Sequence, residues 1–135
     1  MTYGELFEIA PFGNMLVRLT LTGAGLRAWL EKAVAQGQVV ARLSGIVVSY
    51  DTTRAPGKRI LSVTMADGQA LVDDRTYRFV YSDFLHANGD GLQATEGVQR
   101  VEELGIVDID ALTDWVKRNS PVRAPRDERL IIRTP

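Results

Sequence analysis

In the stretch SDFLHANGDGL, residues 82–92, an aromatic ring at Phe84 precedes a carboxylate, Asp90, set between Gly89 and Gly91. An aromatic face stacks on flat ligands, and a carboxylate accepts hydrogen bonds from hydroxyls. Glycine lets the backbone take positive φ and come close to a ligand. APFGN, residues 10–14, repeats the theme: Phe12 follows a proline and precedes Gly13, just ahead of a strand-like run. Each loop taken alone reads first as a turn with a ring tucked beneath it. Two such loops at strand ends suit a clamp, with rings facing each other across a flat base and stacking worth about 1–3 kcal/mol per base. A carboxylate beside them would take ribose hydroxyls, the role acids play in dinucleotide sites.

Little else in the chain has the makings of catalysis. His86 is the single histidine and there is no cysteine, so no metal motif of the His/Cys type can be written. Asp73–Asp74 and Glu102–Glu103 are adjacent pairs, but neighbours on a strand point to opposite faces and helical neighbours diverge. Both pairs read as solvated faces or turns. No partner that would orient or tune His86 can be named from the sequence, so it reads as a loop residue rather than a general base. No catalytic residue and no metal site are therefore assigned to this chain.

The bulk properties narrow the classes further. The chain has 135 residues, enough for one ordinary domain with a real core. A net charge of −1 gives no basic excess for a phosphate backbone, which argues against nucleic acid as a partner. No run approaches the roughly 20 apolar residues that span a bilayer, so no membrane role is expected. MTYGELFEIA has neither the positive start nor the apolar run of a signal peptide.

The elements that must position the two loops follow from periodicity. MLVRLTLT, residues 15–22, alternates as a half-buried strand with Met15, Val17, Leu19 and Leu21 inward. Thr22 then serves as N-cap for a helix carrying Leu26, Trp29, Leu30, Ala33 and Val34, with Gly37 as its stop. IVVSY and RILSVTM read as strands, the latter with Leu61, Val63 and Met65 on one face. Asp67–Gly68 is a hairpin signal, and TYRFVYS is a strand with Tyr77, Phe79 and Tyr81 on one side. IDALTDWVKRNSP reads as an amphipathic helix with Leu112, Trp115 and Val116 in the core, and LIIR as a last strand. The expected fold class is α+β, a mixed or antiparallel sheet with hairpins covered by two amphipathic helices.

Four blocks, in order, resemble the C-terminal, substrate-binding domain of the 5′-nucleotidase family, which includes UDP-sugar hydrolases and ecto-5′-nucleotidases. GELFEIAPFGNMLVRLTLTGAGLRAWLEKAV is similar to the family's PFGN, strand, TG and helix block. LSGIVVSYDTTRAPGKRILSVTMADGQAL is similar to its SG-strand, YD and hairpin block, and TYRFVYSDFLHANGDGL to its TY-strand, NDF and GGDG block. IDALTDWVKRNSPVRAPRDERL resembles its closing helix and SPV tail. The likeness covers nearly the whole of residues 1–135.

This resemblance implies that Phe12 and Phe84 hold the base and that Asp90 contacts the ribose, with Gly89 and Gly91 letting the backbone come close to the ligand and Asn88 completing the substrate-binding loop. It implies a nucleotide or nucleoside as ligand, and as partner a metallophosphoesterase domain of the same parent, carrying two divalent metals and acting as the hydrolase. No cofactor is expected on this chain, which should be inactive alone. A periplasmic, cell-surface or secreted parent is also implied. Three departures stand out: Asn88 replaces the first glycine of GGDG, Leu92 follows where an aromatic is frequent, and no Asn-Gly-Gly-x-Arg-like run precedes PFG. The alternatives are a stand-alone binding or interaction module without catalysis, and the domain of a non-nucleotide relative such as a thiosulfohydrolase.

Overall fold

The computed structural model describes residues 1–35 and 42–133. Two three-stranded sheets share one core. In the first, β1 (Met15–Thr22) lies between β4 (Thr76–Ser82) and β5 (Val98–Val107), antiparallel to both. In the second, β2 (Ile46–Tyr50) lies between β3 (Ile60–Met65), antiparallel, and β6 (Leu130–Ile132), parallel.

β1 alternates as its sequence demands from Val17 on: Val17, Leu19 and Leu21 are buried, while Arg18 and Thr20 face the other side. Met15, expected inward, is exposed at the first residue of the strand, beyond the cover of the core. Thr22 then caps α2 (Gly23–Ala35), its hydroxyl accepting from the Gly25 amide at 3.1 Å. The helix buries Leu26, Trp29, Leu30, Ala33 and Val34 against β1, β3 and β4. The expected stop at Gly37 lies outside the described residues.

The sheet divides because the Asp67–Gly68 turn does not continue as a full hairpin. Gly68 takes φ of 83° and its amide bonds to the Met65 carbonyl at 2.9 Å, as a tight turn should. The returning chain makes a single bridge, Thr64 to Ala70, and then leaves to form β4 beside β1. β3 also departs from simple alternation. Ser49 pairs with Ser62 but Tyr50 pairs with Ile60, so Leu61 is the extra residue of a bulge. Leu61 is consequently exposed and Ile60 takes the inward place that alternation assigned to it.

Two elements carry weak sequence signals. α1 (Tyr3–Ile9) is short, closed by a capping box between Thr2 and Glu5. β5 holds so many charges that its period is obscured; Glu102 bridges Arg18 at 3.0 Å and Arg100 at 3.1 Å across its outer face. α4 (Asp108–Asn119) packs on α1 through Leu6, Ile109 and Val116, a small cluster apart from the main core. Trp115 is not in it. Its residue is 49% exposed, because α1 covers only the Ile109–Leu112–Val116 stripe and Trp115 lies about 100° from Val116 around the helix.

Candidate functional site

The pairing of β1 with β4 determines where the two aromatic loops meet. Leu16 stands opposite Ser82, so the chain entering β1 and the chain leaving β4 emerge at one end of adjacent strands. Phe12 lies in the turn between α1 and β1, where the carbonyl of Asn14 accepts the Asp108 amide at 2.8 Å and ties the turn to the start of α4. Phe84 lies on α3 (Asp83–His86), a single turn of helix that follows β4 directly. Phe12, Phe84 and Asp90, with Asn14, Ser82 and Leu85, line one cavity of about 450 Å³. Both phenylalanines are held out of the core, at 77% and 50% exposure.

Local hydrogen bonds define α3. The Ser82 hydroxyl accepts from the Leu85 amide at 3.3 Å and caps the helix, while the Asp83 carboxylate accepts from the Phe84 amide at 2.8 Å. The Ala87 amide returns to the Asp83 carbonyl at 2.8 Å. Gly89 seats the ring. A Cβ there would stand 2.5 Å from both the Phe84 carbonyl oxygen and its ring, so only glycine lets Phe84 lie across this position. On the side where a Cβ would stand, the close neighbour of Gly89 is Phe84 itself.

The turn that presents Asp90 is left-handed. Asn88, Asp90 and Gly91 take φ of 70°, 54° and 69°. Asparagine and aspartate bear that conformation better than other side chains, which is why Asn88 can replace a glycine here. Its side-chain carbonyl also accepts from the Gln93 amide at 3.4 Å. Leu92 is a core residue, 2% exposed, and its carbonyl accepts the Trp29 indole N–H at 2.7 Å. The aromatic frequent in the resembled family is thus replaced by a residue that anchors the end of the loop.

His86 has a partner after all. Its Nδ1 lies 2.8 Å from the Tyr81 hydroxyl, and the two rings meet edge to face at 5.8 Å. Tyr81 is buried, which pushes its phenol above the usual range, partly offset by a bond with the Ala94 backbone. The sequence signal was present but indirect: Tyr81 faces inward on β4, and one turn of helix folds His86 back over it.

Among the described residues, no group of three or more His, Asp or Glu side chains is placed to hold a metal ion. The donors present do not fit a two-metal centre, and no hydrolytic step is assigned to them. Nor, among the described residues, is any helix long and apolar enough to cross a membrane.

The sequence profile of the 5′-nucleotidase C-terminal domain matches residues 1–97. The chain belongs to that family. A snake venom 5′-nucleotidase from Crotalus adamanteus is 30% identical over 143 residues, covering 97% of this chain and 24% of the venom protein. The trifunctional nucleotide phosphoesterase protein YfkN of Bacillus subtilis is 30% identical over 139 residues, covering 97% of this chain and 10% of YfkN. A 5′-nucleotidase precursor from Thermus thermophilus superposes with a TM-score of 0.86 at 30% identity, over 98% of this chain and 28% of that one. This 5′-nucleotidase C-terminal domain therefore spans a quarter or less of the two named curated relatives. The sulfate thiohydrolase SoxB of Thermus thermophilus shares the fold, with a TM-score of 0.71 at 21% identity.

Proposed function

We propose that this domain binds a nucleotide or nucleoside by its base, between Phe12 and Phe84, with Asp90 accepting hydrogen bonds from the ribose. In the parent protein it presents the phosphate end to a metallophosphoesterase domain that hydrolyses the ester. The observation that carries this reading is the convergence of Phe12, Phe84 and Asp90, from loops far apart in sequence, on one apolar cavity. Exposed rings beside a left-handed aspartate are otherwise unfavourable features. Neither ring contributes to a hydrophobic cluster, and a non-glycine residue in the left-handed region costs about 1–3 kcal/mol. Strain and exposure of this kind collect where a ligand is held.

The experiment is a titration of adenosine against the ¹⁵N-labelled chain, followed by NMR, with wild type, Phe12→Ala, Phe84→Ala and Asp90→Asn. Removing either ring should cost about 1–3 kcal/mol of affinity. Asp90→Asn should weaken adenosine more than adenine, since only the nucleoside offers ribose hydroxyls. Shifts that ignore both loops and gather elsewhere would end the clamp reading, and a preference for an anion without a base would favour a non-nucleotide substrate.

A further inference from the structure

His86 closes a row of four rings that begins in the middle of α2. Trp29 meets Phe79 at 4.6 Å between ring centroids, Phe79 meets Tyr81 at 5.0 Å, and Tyr81 meets His86 at 5.8 Å. Each end of the row grips the same loop. Trp29 donates to the Leu92 carbonyl at its far end, and Tyr81 bonds His86 at its near end. Between those two ties lies Asp90, and Phe84 stands two residues before His86 on the same turn.

A single helical turn has too few internal hydrogen bonds to persist alone, because nucleation costs more than it returns. α3 is only four residues long. Its cap comes from adjacent Ser82, and the Phe84 ring rests on Gly89 within the same loop. Leu85 packs against the main core, but an apolar contact has no preferred direction. The directional tie from α3 to a buried side chain is the Tyr81–His86 hydrogen bond.

We infer that His86 is a positioning residue for the clamp: bonded to Tyr81, it fixes the angle of α3 and so the face that Phe84 presents to the base. This role rests on the nucleotide-binding reading above. Nothing in it requires His86 to touch the ligand.

Tyr81→Phe removes only the hydroxyl, His86→Ala removes the ring, and His86→Asn puts an amide near the place of Nδ1. Adenosine is the probe, with two further readouts on the free protein: amide exchange at Phe84 and Asp90, and the ¹⁵N shifts of the imidazole, unambiguous because the chain has one histidine. Tyr81→Phe and His86→Ala should each raise the Kd for adenosine about three- to tenfold, the loss expected for one hydrogen bond. They should speed exchange at Phe84 and Asp90 while the β1 amides stay protected. His86→Asn should bring both readouts back toward wild type, and Tyr81→Phe should change the tautomer balance of the imidazole. Wild-type Kd and unchanged loop exchange in Tyr81→Phe would overturn the inference. So would equal deprotection of β1, which marks a general loss of stability. If wild type fails to bind adenosine, the nucleotide reading falls, while loop exchange and the tautomer still decide whether the pin exists.

Discussion

The indole N–H of Trp29 donates to the Leu92 carbonyl across 2.7 Å, joining the middle of α2 to the end of the loop that carries Asp90. Trp29 is 3% exposed, so the acceptor has no water to turn to. Trp29→Phe keeps an aromatic in the core but strands that carbonyl, at a cost of about 1–3 kcal/mol. Trp115→Ala, on the exposed flank of α4, should cost less than about 1 kcal/mol. Urea unfolding of both variants checks the contrast, and equal losses would contradict the placement of Trp115.

The glycines at 89 and 91 should fail differently. Gly89→Ala drives a Cβ into the Phe84 ring and carbonyl, so α3 must shift and adenosine affinity should fall with stability. Gly91→Ala meets no neighbouring atom and faces only the left-handed backbone, a penalty of about 1 kcal/mol. Phe84 ring signals in NMR should therefore move in Gly89→Ala and stay nearly in place in Gly91→Ala.

At Asp90 the backbone and the carboxylate can be separated. Asp90→Gly relieves the left-handed strain and should raise stability by up to about 1 kcal/mol, while abolishing the acceptor. Asp90→Asn keeps a side chain suited to that backbone and removes only the charge. If both variants bind adenosine as tightly as wild type, Asp90 has no part in holding the sugar. Thermal melts run alongside establish whether the strain is released.

Acid should dissolve the charge pairing across β1 and β5. The Arg18 hydrogen bond, with Arg100, Arg18 and Arg78 nearby, holds the Glu102 carboxyl below its ordinary range despite some desolvation. A carboxylate depressed in the folded state stabilises fully above its unfolded pKa, about 4.3 for glutamate, and that contribution is lost as pH falls through the folded value. Glu102→Gln should therefore melt lower than wild type near neutral pH, and the gap should close in acid. The gap will be small, because both side chains remain partly in water. A gap that widens as pH falls would reverse the sign argued here.

The readable parts of the fold were those where one face is buried and the period is clean. Val17, Leu19 and Leu21 on β1, and Leu26 to Val34 on α2, follow directly from alternation and helical spacing. β5 was hidden because an edge strand with an open face needs few apolar residues, and Arg100, Glu102 and Glu103 mask its alternation. Leu61 went astray because the bulge turns that one residue out while Val63 keeps its inward place, and nothing local announces a bulge. Trp115 went astray because amphipathicity says which face is apolar, not how wide its cover will be. In the site, Phe12, Phe84 and Asp90 could be named from residue type and resemblance. That they share one cavity depends on the β1–β4 register, and the Tyr81–His86 bond on how α3 folds back over β4. Both are tertiary facts that no window of sequence contains.

Phe12 and Phe84 stand outside both hydrophobic clusters of the domain. Neither ring packs against the core built on Leu19, Leu21 and Leu30. Folding therefore places little demand on what fills these two positions. On the clamp proposed above, such a scaffold would change its diet by single substitutions without passing through an unfolded intermediate sequence. On that reading, two turns on one end of a rigid sheet are a socket whose fittings are interchangeable, and new specificities would be sought by varying positions 12 and 84 together while β1 and β4 stay fixed.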